Sequence, residues 1–187
     1  MGVRLNLYKW QSVRRTHSQW PTSSITGTDM ATEIERKFLV RGDAWRTANA
    51  ELLVQGYLNR DKARTVRVRI AGEQAFLTIK GLTQGASRAE FEYPIPVADA
   101  HQLLALSDGP VLEKVRHTFA HGGHTWEVDE FHGANDGLVV AEIELTREDE
   151  VFTRPDWLGN EVTHDARFYN ANLIAHPWST WAEHPAA

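Results

Sequence analysis

From residue 31 to residue 145 the chain alternates between apolar and charged positions. In ATEIERKFLV (31–40), Glu33, Glu35 and Lys37 fall on one side of an extended chain, because side chains two apart on a strand point the same way. The pattern then returns. Arg67 and Arg69 alternate with Val66, Val68 and Ile70, Thr78 and Lys80 with Leu77 and Ile79, and Arg88, Glu90 and Glu92 with Ala89, Phe91 and Tyr93. Further on, Lys114 and Arg116 alternate with Val115, His117 and Phe119, Glu127 and Asp129 with Trp126 and Val128, and Glu142 and Glu144 with Ala141, Ile143 and Leu145. With a fainter run at 53–59, the period of two predicts eight strands.

Turn residues separate these runs: Gly72, Gly85 and HGGH at 121–124. They predict hairpins, hence antiparallel pairing. His121 and His124 then read as exposed turn residues, and His117 as packing outside. Helical patterning is confined to a short segment after Asp43, to VADAHQLLAL at 97–106, and to about 164–175. The fold class is therefore mainly β (α+β), with accessory helices outside. Trp178 and Trp181 read as packing and tail residues.

A sheet with one solvated face would explain any single strand. Here the charges are clustered strand by strand as EIE, RVR, EFE, KVR, EVD and EIE. Eight antiparallel strands can close into a barrel whose interior admits side chains or a small ligand. A closed eight-stranded antiparallel β-barrel, forming a tunnel with a charged interior, would bring these faces together. Glu33, Glu35, Glu127, Asp129, Glu142 and Glu144 are then hard oxygen donors suited to Mg²⁺ or Mn²⁺. Lys37, Arg67, Arg69, Lys80, Arg88, Lys114 and Arg116 supply cations for phosphate oxygens. A metal-bound polyphosphate uses both sets.

Composition narrows the partners. The 187 residues, 42% hydrophobic, suit one domain with a real core, and there is no cysteine for disulfides or thiolate metal sites. No run reaches the ~18 apolar residues of a membrane helix, so no membrane partner is expected. Residues 1–29 carry four basic side chains against Asp29, a net +3, which leaves −8 of the total −5 on the remainder. An acidic body with carboxylates interleaved among its bases is a poor nucleic-acid surface. The basic, acid-poor leader has features of a transit peptide, but its composition and Met30 just beyond it fit a disordered leader better. No G-x-x-x-x-G-K-[ST] loop occurs.

The ordered series EIERKFLV, TVRVRI, LTIKG, SRAEFEYPI, LEKVRH, WEVDEF, AEIEL and EVTHDARFYN resembles the CYTH superfamily of triphosphate tunnel metalloenzymes, with EIERK as its ExExK signature. The resemblance covers nearly all of 31–175 and is nearest to the bacterial inorganic triphosphatase type. It implies divalent-metal-dependent hydrolysis of tripolyphosphate to pyrophosphate and phosphate, in a cytoplasmic protein that a homodimer would suit. It implies metal-binding acids at Glu33, Glu35, Glu142 and Glu144, and at Asp129, which would also lie near the attacking water. Glu35, Asp129 and Lys37 would form the catalytic set. Lys37, Arg67, Arg69, Lys80, Lys114 and Arg116 would cradle phosphate, with Arg88 beside them and Glu90 holding one cation. Asp165, Arg167 and Tyr169 match the closing motif, Arg167 being a further substrate contact, although His164, Ala166 and Phe168 depart from its usual wording. The domain would span 30–175 and leave 176–187 as a tail. A class IV-type adenylyl cyclase, a thiamine triphosphatase or a non-catalytic polyphosphate-binding module could be built on the same pattern. If the leader is dispensable, a chain beginning at Met30 keeps its thermal midpoint and its activity; loss of either would show that the leader packs on the domain.

Overall fold

The computed structural model describes residues 32–46, 49–82 and 87–187, with the backbone alone at 32, 33, 87 and 88. The leader at 1–29 and the expected turn at Gly85 lie outside the described residues. Nine strands form an antiparallel sheet: β1 (Thr32–Val40), β2 (Ala50–Asn59), β3 (Arg64–Ala71), β4 (Gln74–Gly81), β5 (Ser87–Pro94), β6 (Leu112–His121), β7 (His124–Phe131), β8 (Val139–Glu144) and β9 (Leu158–Glu161). Their order is β5-β4-β3-β2-β6-β7-β8-β1-β9, and β5 also pairs with β1. That last ladder runs antiparallel through Thr32↔Ala89, Glu33↔Arg88 and Ile34↔Ser87.

Eight strands fall where alternation places them, and β9 is an addition. It has four residues and no apolar–polar alternation, and it forms by pairing with β1 through Phe38↔Glu161 and Val40↔Leu158. Helix α1 (Val97–Leu104) starts after Pro96 and ends two residues before the expected limit. The 164–175 segment divides into a 3₁₀ turn at Ala166–Phe168 and the short α2 (Asn170–Ala175). The helix expected after Asp43 does not form among the described residues there. Over 42–46 the chain turns instead, with Trp45 buried and its Nε1 donating to Gly42 O at 2.6 Å.

Three apolar groups hold the sheet's two faces. Outside β2, β3 and β4, α1 buries Ala100 against Val68, Ala75 and their neighbours. Gly56 permits this approach: an added Cβ would overlap Ser107 and stand 3.1 Å from Leu104 Cδ2. Outside β1, β7 and β8, the segment carrying Phe152 and Trp157 covers Phe38, Trp126, Val128, Ala141 and Ile143. His117 packs edge-on against Trp45 at 5.0 Å, on this outer side.

The third group is different. Leu39, Leu112, Phe131 and Val140 lie two residues beyond Lys37, Lys114, Asp129 and Glu142, on the same strand faces, and they pack with Val162, Phe168, Leu173, Ile174 and Trp178. The charged faces therefore turn apolar along their length, and the C-terminal segment packs against that apolar stretch. Trp178 contacts Phe168, Trp181 and His184, the last stacked at 4.0 Å. Replacing Trp178 by Ala is expected to cost about 3–5 kcal/mol, read as a lower urea midpoint at unchanged slope.

Candidate active site

The charged faces line one cavity of about 640 Å³, to which each of β1 to β8 contributes: Glu35 and Lys37, Tyr57, Arg67 and Arg69, Lys80, Glu90 and Glu92, Arg116, Glu127, and Glu142 with Glu144. Its rim includes Arg60 and Lys62 from the β2–β3 turn, Leu82 after β4, and Ala166, Tyr169, Asn170 and Asn172 near α2. Strand register sets the neighbours. Glu35 lies opposite Glu144 and Lys37 opposite Glu142, while Glu127 lies opposite Glu142 on the other side of β8.

On the β1, β6, β7 and β8 side, Lys37 Nζ binds Glu35 Oε1 at 2.8 Å and also Glu142. Arg116 forms a fork on Asp129 at 2.7 Å through each of Nε and Nη2, reaches Glu142 Oε2 at 2.8 Å and pairs with Glu127. Lys114 completes the group on Asp129. Burial alone would raise the Glu142 carboxyl, but Lys37, Lys114 and Arg116 outweigh it and hold its pKa well below the usual range. Asp129 is lowered in the same way, against burial, by Arg116 and Lys114. Lys114, desolvated and beside Arg116, has its own pKa lowered although it shares Asp129; the acid stays ionised between two cations. Glu127 goes the other way, pushed up by burial despite Arg116.

On the β3, β4 and β5 side, Arg69 Nη2 contacts both oxygens of Glu92 at 3.1 Å. Arg67 Nη2 donates to Thr78 Oγ1 at 3.1 Å, and Thr78 donates in turn to Glu92 at 2.7 Å. Lys80 Nζ binds Glu90 Oε2 at 2.6 Å. Burial and the neighbouring Arg67 lower the Arg69 pKa.

The two sides are unequal. Five acids (Glu35, Glu127, Asp129, Glu142, Glu144) face three bases (Lys37, Lys114, Arg116) on the first, whereas three bases (Arg67, Arg69, Lys80) face two acids (Glu90, Glu92) on the second. An acid surplus built from hard oxygen donors suits a divalent cation, and a base surplus opposite suits phosphate. Glu144 makes no ion pair among the described residues. The same residues contain no cluster of three His, Asp or Glu side chains already drawn around an ion site, since Lys37 stands between Glu35 and Glu142. The donor set fits a divalent metal in type and charge; its acids are held by ammonium and guanidinium groups.

Thus Glu35, Lys37, Arg67, Arg69, Lys80, Arg116, Glu142 and Glu144 share the cavity. Asp129 and Lys114 do not line it: they are 0% and 1% exposed and lie behind Arg116. Arg167 is turned away, paired with Asp165 at 2.6 Å and over the Trp181 ring at 4.7 Å. The side chains of Glu33 and Arg88 lie outside the description. Sequence reasoning missed Arg60, Lys62, Thr163, Asn170 and Asn172, which come from turns and short helix where no periodicity marks a face. It also took His124 as an exposed turn residue, whereas its Nε2 binds Glu150 Oε1 at 2.8 Å and its ring packs on Phe152.

The chain belongs to the CYTH domain family, whose model matches residues 31–173. It is 50% identical to the inorganic triphosphatase of Acetivibrio thermocellus over 156 residues, which make up 82% of this chain and all of that protein. It is 37% identical to the inorganic triphosphatase of Nitrosomonas europaea over 146 residues, 76% of this chain and 96% of that one. In three dimensions it is similar to a crystal structure of an inorganic triphosphatase, with a TM-score of 0.59 and 35% identity, covering 78% of this chain and 95% of that one.

The lowered carboxyls link stability to pH. Glu142 and Asp129 protonate less readily folded than unfolded, so they contribute fully above the unfolded carboxyl range and lose that contribution as pH falls through their lower folded values. The thermal midpoint should therefore fall as pH drops below about 4. A midpoint that held steady in that acid range, followed by scanning calorimetry, would contradict the buried pairing.

Proposed function

We propose that this chain hydrolyses inorganic triphosphate to pyrophosphate and phosphate with a divalent metal, inside a tunnel formed by β1 to β8. The carrying observation is one cavity lined by all eight strands, seven of which present charge, with acids in excess on one side and bases on the other. The 50% identical Acetivibrio thermocellus inorganic triphosphatase supports the reading, and the β1–β5 ladder supports an enclosed tunnel. A cytoplasmic location fits the cysteine-free sequence.

Glu35, Glu142 and Glu144, with Glu33 from the same strand as Glu35, would hold Mg²⁺ or Mn²⁺. Such an ion screens phosphate charge and lowers the pKa of water. Arg67, Arg69, Lys80 and Arg116 bind the phosphate oxygens, exchanging carboxylate contacts with Glu92, Glu90 and Glu127 for substrate. Lys37, released from Glu35 and Glu142, adds a further cation to the cradle. Glu35 then accepts the proton of the attacking water, whose oxygen bonds to a terminal phosphorus while the P–O bond to pyrophosphate breaks. Asp129 and Lys114 act from behind, fixing the plane of Arg116.

With Mg²⁺ or Mn²⁺, tripolyphosphate should yield pyrophosphate and phosphate, ATP should react more slowly, and EDTA should abolish turnover. Arg69→Ala is expected to raise KM and lower kcat, because a cradle cation contacts phosphate in both ground and transition states. Glu35→Gln should act mainly on kcat and shift the metal dependence. Release of cAMP from ATP without phosphate from tripolyphosphate would instead mean a cyclase, faster turnover of thiamine triphosphate a thiamine triphosphatase, and binding without turnover a binding module.

A further inference from the structure

We infer that Arg60 and Lys62 form an anion-binding step on the cavity rim, outside the phosphate cradle, which holds the next phosphate of a linear polyphosphate longer than three units. This rests on the triphosphatase reading of the cavity and names a substrate that reading leaves open.

Inside the cavity each phosphate-binding base already faces an acid: Arg69 faces Glu92, Lys80 faces Glu90, and Arg116 faces Glu127, Asp129 and Glu142. The rim differs. Lys62 lines the cavity, is exposed, and makes no ion pair among the described residues. Arg60 also lines it and is held by Asp108 at 3.2 Å, an acid 62% exposed that does not itself reach the cavity. Among the described residues, no acid from this turn, from 81–82 or from 166–172 lines the cavity. Among the described residues, the charged side chains lining this side of the rim are therefore both positive, and Asp61 of the same turn pairs instead with Arg64 at 3.2 Å.

The turn is also built. Asn59 Oδ1 accepts from Asp61 N at 2.7 Å, Asp61 Oδ1 accepts from Ala63 N at 2.9 Å, and Asp61 O accepts from Arg64 N at 3.0 Å. Asp108 N donates to Tyr57 O at 2.7 Å and ties the loop holding Arg60 to the strand that enters the turn. The backbone that carries Lys62 is thus fixed before any ligand arrives, which lowers the ordering cost of an anion contact there. Lys62 precedes Thr65, Arg67 and Arg69, the cavity-facing residues of β3, so the rim continues the line of the cradle toward solvent. A chain that repeats one charged unit at regular intervals matches that continuation. A neutral base does not: Tyr169, the aromatic ring near the rim's α2 side, is half-buried with its hydroxyl donating to Thr163 O at 3.2 Å.

The test compares wild type, Arg60→Ala/Lys62→Ala and Lys62→Arg on tripolyphosphate, tetrapolyphosphate and ATP. For the double variant, KM for tetrapolyphosphate should rise roughly five- to tenfold, the worth of one or two partly exposed charge contacts. KM for tripolyphosphate should not change, and Lys62→Arg should behave as wild type. An equal loss on both polyphosphates, or on neither, would overturn the inference. A loss confined to ATP would also overturn it and assign the rim to a nucleotide. Calorimetric titration of the same two polyphosphates without metal reads the contrast independently of turnover. An enzyme that binds tetrapolyphosphate through these residues yet hydrolyses neither compound would sink the triphosphatase reading and leave the rim step standing.

Discussion

The fork of Arg116 on Asp129, with Lys114 beneath it, is the contact on which the rest of the cavity depends. An ionised group withdrawn from water is tolerated only if a partner and further hydrogen bonds replace its hydration. Asp129 is fully buried and is answered twice. Stripping one member from such a cluster costs about 3–5 kcal/mol, because the charge left behind is unpaired. Arg116 therefore stands on a foundation that cannot be thinned, and from it reaches Glu142 and Glu127 at the cavity wall. Lys37 closes the chain of contacts on the far side of Glu142.

Pairing of this kind also offsets the repulsion within a cavity so rich in ions. Like charges are adjacent along several strands, as in Arg67 and Arg69 or Glu142 and Glu144, but many of them reach an opposite charge on another strand: Arg69 reaches Glu92, Lys80 reaches Glu90, and Lys37 reaches Glu142. Repulsion along a strand is offset by attraction between strands. What remains is the imbalance between the two sides, and that imbalance gives the cavity a chemical direction.

Much of this was legible in the residue pattern, for a definite reason. A period of two fixes which side of a strand a residue occupies, so β1 to β8 and the membership of the charged face follow from sequence. The period says nothing of depth. Asp129 and Glu127 share a face, yet Asp129 is sealed behind Arg116 while Glu127 lines the cavity. Nor does it reach turns, where Arg60 and Lys62 lie, or β9, whose four residues extend only because β1 offers them an edge. Arg167 matches a motif in spelling, but Asp165 two residues earlier takes its guanidinium first. The segment after Asp43 has helical spacing and still turns, because Trp45 is drawn beneath His117.

The gripping of β1 sets a limit on how such a protein can change. Its residues alternate between two incompatible environments, with Glu35 and Lys37 among ions and Phe38 against Trp126 and Phe152. Pairing with β8 on one side and with β5 and β9 on the other leaves the strand no freedom to slide. Loss or gain of a single residue within β1 would send Phe38 into the ions and Lys37 into the aromatic cluster. Descendants of this sequence can vary their loops, and with them what the rim admits, but the length of β1 is inherited whole.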